Sequence, residues 1–184
     1  MTEQGLRHTD RTPVKKDFRF LLKCRKTGDT DGIKEQEAMS MVEQDTIKLL
    51  RECDAGVKMG ISSIGDVLGH VREKKLKQLL TDCKKDHETL EKELREQLDR
   101  YQDDGKEPNP MARGMSQVKT NVKLALHESD AAIAELMTDG CNMGVKSLNQ
   151  YLNQYKAADE TSKDLAKRLI RLEEQLAVDL RGYL

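Results

Sequence analysis

The segment Gly56-x-x-Met59-Gly60-Ile61-x-Ser63-Ile64-x-x-x-Leu68 returns at Gly140-x-x-Met143-Gly144-Val145-x-Ser147-Leu148-x-x-x-Leu152. An internal repeat constrains a fold more than any single residue can, because each copy is one supersecondary unit and the copies must bury their apolar faces together. A weaker match extends it: Leu80, Cys83, His87, Leu90 and Leu94 correspond to Ala166, Leu169, Glu173, Leu176 and Leu180, at an offset two residues longer than that of the glycines. One helical hairpin has been doubled.

The apolar residues of both copies step by three or four, which is the period of a buried helix face. Aromatic residues make up only 3% of the chain, Trp is absent, and the three prolines fall outside the longest periodic stretches, so helix is expected almost throughout. The stripe Leu50, Cys53, Val57, Ile61, Ile64, Leu68, Val71 predicts helix A over 37–71. Leu76, Leu80, Cys83, His87, Leu90, Leu94, Leu98 and Tyr101 predict helix B over 73–103, stopped by Gly105 and Pro108. A crossover over 104–128 carries a short pattern from Met111 to Leu126. Ser129-Asp130 reads as the N-cap and first acid of helix C, 129–157, with Ile133, Leu136, Gly140, Met143, Ser147, Tyr151 and Tyr155 as its inner stripe. Helix D, 160–184, carries Leu165, Leu169, Leu172, Leu176, Leu180 and Leu184.

If the hairpins are related by a pseudo-twofold axis, helix C begins at the far end of the bundle from the end of B. The crossover must then run the bundle's length. Glycine inside a helix costs about 1 kcal/mol against alanine, so Gly56, Gly60, Gly140 and Gly144 are read as the small faces where A crosses C. Lys58 and Lys146 beside them argue against a membrane-dimerising motif.

The formal net charge is −1, which gives no global pull toward nucleic acid or membrane. Residues 1–28, however, hold eight Lys/Arg against three acids, within an N-terminal extension taken as 1–36. That extension reads as solvated or loosely docked, with contact to phosphate or an anionic surface as the functional alternative. Phe18 and Phe20, beside Leu21 and Leu22, are expected to pack on the main body. No nucleic acid is expected, because the bundle lacks a basic stripe and aromatic stacking platforms. The cysteines at 24, 53, 83 and 141 form no C-x-x-C, and no secretory segment or membrane span is read. They are expected as reduced thiols in a bacterial-type cytoplasm, with Cys53 and Cys83 acting as small core residues.

A duplicated hairpin with a long crossover resembles the ferritin-like four-helix bundle, and from about Leu49 to Leu184 it is most similar to a bacterial ferritin-like family of unknown function. The resemblance implies an all-α fold and a stress or storage setting. Oxidase and iron-storage members of the superfamily hold two metals with a Glu on each of A and C and a Glu-x-x-His on each of B and D. This sequence departs from that pattern: His8, His70, His87 and His127 follow Gly5, Val67, Lys84 and Leu124 at three residues' distance. A standard di-iron centre is not expected, and no cofactor with it. His87 and Glu173, with Asp54, Asp86, Asp139 and Cys141, are the candidates for a degenerate divalent-metal site; the alternative is a buried His-Glu hydrogen-bonded pair, or a His87 that reaches solvent beside Glu91. The leading expectation is a non-catalytic bundle that associates with itself or with a protein partner, and the runner-up is a metal-binding or redox protein.

Overall fold

In a computed structural model of the protein, residues 30–108 and 129–184 are described. The expectations for the Phe18 and Phe20 patch, for Cys24, His8 and His127, and for a helix in the crossover lie outside those residues. Within them the fold is all-α: α1 (Thr30–Leu68), α2 (Lys74–Arg100), α3 (Asp130–Gln154) and α4 (Glu160–Asp179), followed by a 3-10 turn, Leu180–Tyr183. Helix α1 begins seven residues earlier than the sequence reading placed it (37 minus 30). Its side chains from Gly32 to Gln44 are exposed, and its first buried residue is Thr46.

The caps follow local chemistry. Ser129 accepts a hydrogen bond from the Ala132 amide at 3.2 Å, and Asp159 accepts from the Ser162 amide at 2.7 Å. Each satisfies one of the orphan donors that open a helix. Helix α2 has no side-chain cap of its own. The Asp130 carboxylate serves instead, accepting from the Arg72 and Glu73 amides at 2.9 and 2.8 Å.

That carboxylate places the start of α3 beside the start of α2. At the other end Tyr101, just past α2, donates its hydroxyl to Asp159 at the start of α4 at 3.1 Å. The Asp159 amide in turn donates to Thr46 of α1 at 2.9 Å. Helices α1 and α4 therefore run one way, and α2 and α3 the other. The segment between α2 and α3 must travel from one end of the helices to the other. Its first residues already climb along α1: Asp103 pairs with Arg51 at 2.6 Å, Lys106 with Glu52 at 2.7 Å, and Glu107 with Lys58 at 2.7 Å. The Asp54 carboxylate, fully buried, accepts the Lys106 amide at 2.9 Å and lies 3.1 Å from the Lys58 ammonium. Gly105 turns here at φ +79°, and a Cβ on it would overlap Asp54 Oδ2.

Two apolar clusters fill the interior. One joins Leu49, Leu50, Cys53 and Val57 to Leu90, Leu94, Leu98, Leu148, Leu165 and Leu169. The other joins Ile64, Val67 and Val71 to Leu76, Leu80, Ile133, Met137, Cys141, Leu176 and Leu180. The inner face of α3 differs from the expected stripe. Ile133, Met137, Cys141 and Leu148 are buried, whereas Met143 is 70% exposed and Gly140 is exposed. Both faces repeat every three or four residues, and the larger apolar side chains of Leu136 and Met143 favoured the wrong one. Leu184, read as part of the inner stripe of α4, is 62% exposed at the end of the chain.

Candidate functional site

Between the two apolar clusters lies a polar layer. His87, on the buried stripe of α2 between Cys83 and Leu90, is fully buried. Its Nδ1 lies 2.9 Å from the Cys83 carbonyl oxygen one turn back, and its Nε2 lies 3.2 Å from Glu173 Oε1 on α4. A carbonyl oxygen can only accept, so Nδ1 carries a proton and donates it. The remaining proton is shared between Nε2 and the carboxylate. Burial works against a charged imidazole, but the hydrogen bonds to Cys83 and Glu173 and the Glu173 charge outweigh it, and His87 is pushed up to about 10.

Gly60 and Gly144 make room for this pair. A Cβ on Gly60 would sit 2.8 Å from His87 Cδ2 and Nε2. One on Gly144 would meet Glu173 Cδ at an ordinary 3.5 Å. His87 and Glu173 are repeat-related positions, and so are the two glycines. In each hairpin the glycine of the first helix thus faces the polar residue of the second. The expectation of a backbone crossing between A and C is corrected accordingly. A methyl added to Gly140 would have nothing within 4 Å, and one on Gly56 would meet only Leu169 Cδ2 at 3.8 Å. Mid-helix glycine here accommodates a ring and a carboxylate rather than a neighbouring backbone.

Cys141 completes the layer, and burial together with the nearby Glu173 charge raises its thiol far above the ordinary range. Cys53 is likewise pushed up to about 12 by burial. Both remain protonated thiols, the inert form. Cys83 Sγ also lies 3.5 Å from His87 Nδ1.

The other candidates are not brought to this centre. Asp86 and Asp139 are exposed. Asp54 is buried but belongs to the anchor of the crossover, where its Oδ1 makes no hydrogen bond among the described residues. Among the same residues, no group of three or more His, Cys, Asp and Glu is arranged to hold a metal ion. One imidazole and one carboxylate do not fit the two-metal centre of the ferritin-like oxidases. Nor is any described helix long and apolar enough to cross a membrane.

Sequence reading missed the purpose of Gly60 and Gly144, although the signal was present: shifting the set Cys53, Val57, Gly60, Ile64 by the repeat gives Met137, Cys141, Gly144, Leu148. It also missed the Lys58 and Lys106 anchors, whose partners are distant in sequence. Comparison of the chain with known protein families, with curated proteins and with solved structures finds no match.

Proposed function

We propose that this chain is a non-catalytic helical bundle of ferritin-like type, with its hairpins related by a pseudo-twofold axis, that works by association with itself or with another protein. The helix directions, the long crossover and the glycines facing repeat-related polar residues support the ferritin-like reading. The polar centre is closed on itself: His87 and Glu173 lie within hydrogen-bond distance of each other, and burial holds the neighbouring Cys141 thiol protonated. Chemistry is therefore not what the interior is arranged for.

One observation carries the associative reading. The opening turns of α1 project past the core with Ile33, Met39, Met41 and Val42 exposed at 62, 74, 60 and 41%. Large apolar side chains gathered on one projecting helix are the mark of a surface that another protein covers. Sedimentation equilibrium tests this: a mass above the 20.9 kDa monomer is expected, falling to the monomer in a Met39→Asp, Val42→Asp variant. A mass that the substitutions leave unchanged counts against this surface.

A second reading, a degenerate metal site around His87 Nε2 and Glu173, is favoured by one detail. The His87 Nδ1 proton goes to a backbone carbonyl, one of the partners that orient metal-bound imidazoles. Metal analysis of chelator-free protein separates the two readings, because stoichiometric metal lost on His87→Ala would replace the first.

A further inference from the structure

The projecting turns of α1 prolong the helix's own buried stripe past the end of the core. At about 100° per residue, Val42, Met39 and Glu35 fall within about 40° of the direction that the buried Thr46 faces, and Asp31 and Glu43 within about 60°. Lys34 lies about 120° away, and Ile33 and Met41 about 140°. The side that continues the core stripe therefore has two exposed apolar residues at its centre, Met39 and Val42, and three acids around them. None of those acids is in an ion pair among the described residues.

The opposite end of the bundle has the converse composition. Residues 69–78, where α1 gives way to α2, hold Arg72, Lys74, Lys75 and Lys77 against Glu73. Lys74, Lys75 and Lys77 are exposed and stand in the first turn of α2, which contains no acid. Cations at that position oppose the helix macrodipole, so the local fold gains nothing from them. Nor does any of the three make an ion pair among the described residues. Val178, 45% exposed, lies at the same end, since Leu180 just beyond it packs with Val71 and Leu76.

We infer that these two ends are the two halves of one interface: the Met39 and Val42 side of one copy docks on the Lys74, Lys75 and Lys77 turn of a second copy. Charge selects the occupant. Two overhangs set face to face would bring three acids against three, whereas an overhang on the far end of the next copy brings acid to base and Met39 and Val42 to Val178. The patches differ and lie at opposite ends of α1, whose 39 residues measure about 58 Å. Such a heterologous contact adds copies in a row, where a self-complementary one would close on a pair. The inference rests on the associative reading and adds the partner and the polarity.

Mixing two disabled chains tests the polarity. Met39→Asp, Val42→Asp removes the apolar centre of the overhang and leaves the basic turn. Lys74→Glu, Lys75→Glu, Lys77→Glu does the reverse, and it places acid where the dipole of α2 favours it, so folding is retained. Sedimentation is expected to give the 20.9 kDa monomer for each variant alone. The equimolar mixture should give a complex of two copies, since one intact overhang then meets one intact turn and both outer ends are disabled. Adding Asp31→Lys, Glu35→Lys and Glu43→Lys to the triple Glu variant should restore association. In the unmodified chain a rise from about 50 to about 500 mM salt should weaken it at least about tenfold. A triple Glu variant that associates as well as the unmodified chain overturns the inference, because its overhang is then meeting something other than the basic turn. Two variants that stay monomeric on mixing overturn it as well. An unmodified chain that is monomeric throughout sinks the associative reading and the inference with it, whereas the other two outcomes leave association standing and remove only the inference.

Discussion

The two hairpins meet at the same level of the bundle and solve the same packing problem differently. In the first, a rigid imidazole pinned at both nitrogens presses against Gly60, where a methyl would come within 2.8 Å of the ring. In the second, a carboxylate with freedom to turn lies beside Gly144, where a methyl would find 3.5 Å. The side chain of His87 is 1% exposed and that of Glu173 12%. Each hairpin sets a glycine opposite a polar residue, and the two polar residues are unlike and complementary. A like pair at that point would place two equal charges or two bare acceptors in an apolar interior; the unlike pair satisfies both.

The largest effect should come from breaking the pair at its less protected member. Glu173→Leu leaves a fully buried imidazole with the Cys83 carbonyl alone, and denaturant unfolding should show a loss of about 3–5 kcal/mol. His87→Leu should cost less, since the Glu173 carboxylate keeps Cys141 and some access to water. Equal costs would mean that the two sides of the layer are equivalent after all.

Next come the glycines. Gly60→Ala must displace the imidazole, and a cost of about 1–3 kcal/mol is expected despite the gain in helix propensity. Gly144→Ala meets ordinary contact, so propensity should leave it neutral or stabilising by up to about 1 kcal/mol. Thermal melts of the two variants read the sign directly, and a common sign removes the asymmetry.

Alkaline titration is the third test. His87 binds its proton more tightly when folded, up to about 10 against an ordinary 6.5. Its contribution is therefore complete below about pH 6.5 and is lost as pH rises toward 10. The raised Cys53 and Cys141 thiols act in the same direction above about pH 9, where an unfolded thiol ionises. Stability measured from pH 6 to 10 should fall in the native protein and stay flatter in His87→Gln up to about pH 9.

The smallest effect lies outside the layer. The Arg51 side chain is 49% exposed where it pairs with Asp103. Arg51→Ala should cost no more than about 1 kcal/mol, and salt should weaken even that.

Much of the fold was legible in the sequence. Leu76 to Leu98 step cleanly along α2, and Ser129 and Asp159 cap α3 and α4 by the same short-range chemistry that marks a helix start anywhere. The offset that makes His87 and Glu173 repeat-related, read from sequence, joined two residues that the fold places in contact. What was not legible depended on contacts across the chain. The face of α3 was misread because Leu136 and Met143 are the larger apolar side chains, while Cys141 and Gly144, on the inward face, are small. The glycines were assigned to a backbone crossing because a sequence shows that space is needed without showing what fills it. The overhang of α1 escaped because Ile33, Met39, Met41 and Val42 fit no single stripe, having no core to face.

The measurement that reaches the central claim most directly is a double-mutant cycle on His87 and Glu173. Stabilities of the native chain, His87→Leu, Glu173→Leu and the double variant would be compared by denaturant unfolding. If the two repeat-related residues lock the bundle through each other, the double variant loses less than the sum of the singles by about 2–3 kcal/mol, and remains folded as an apolar layer. Additive losses would show that the residues act independently, and the account of the doubled glycines as a shared cradle would be contradicted.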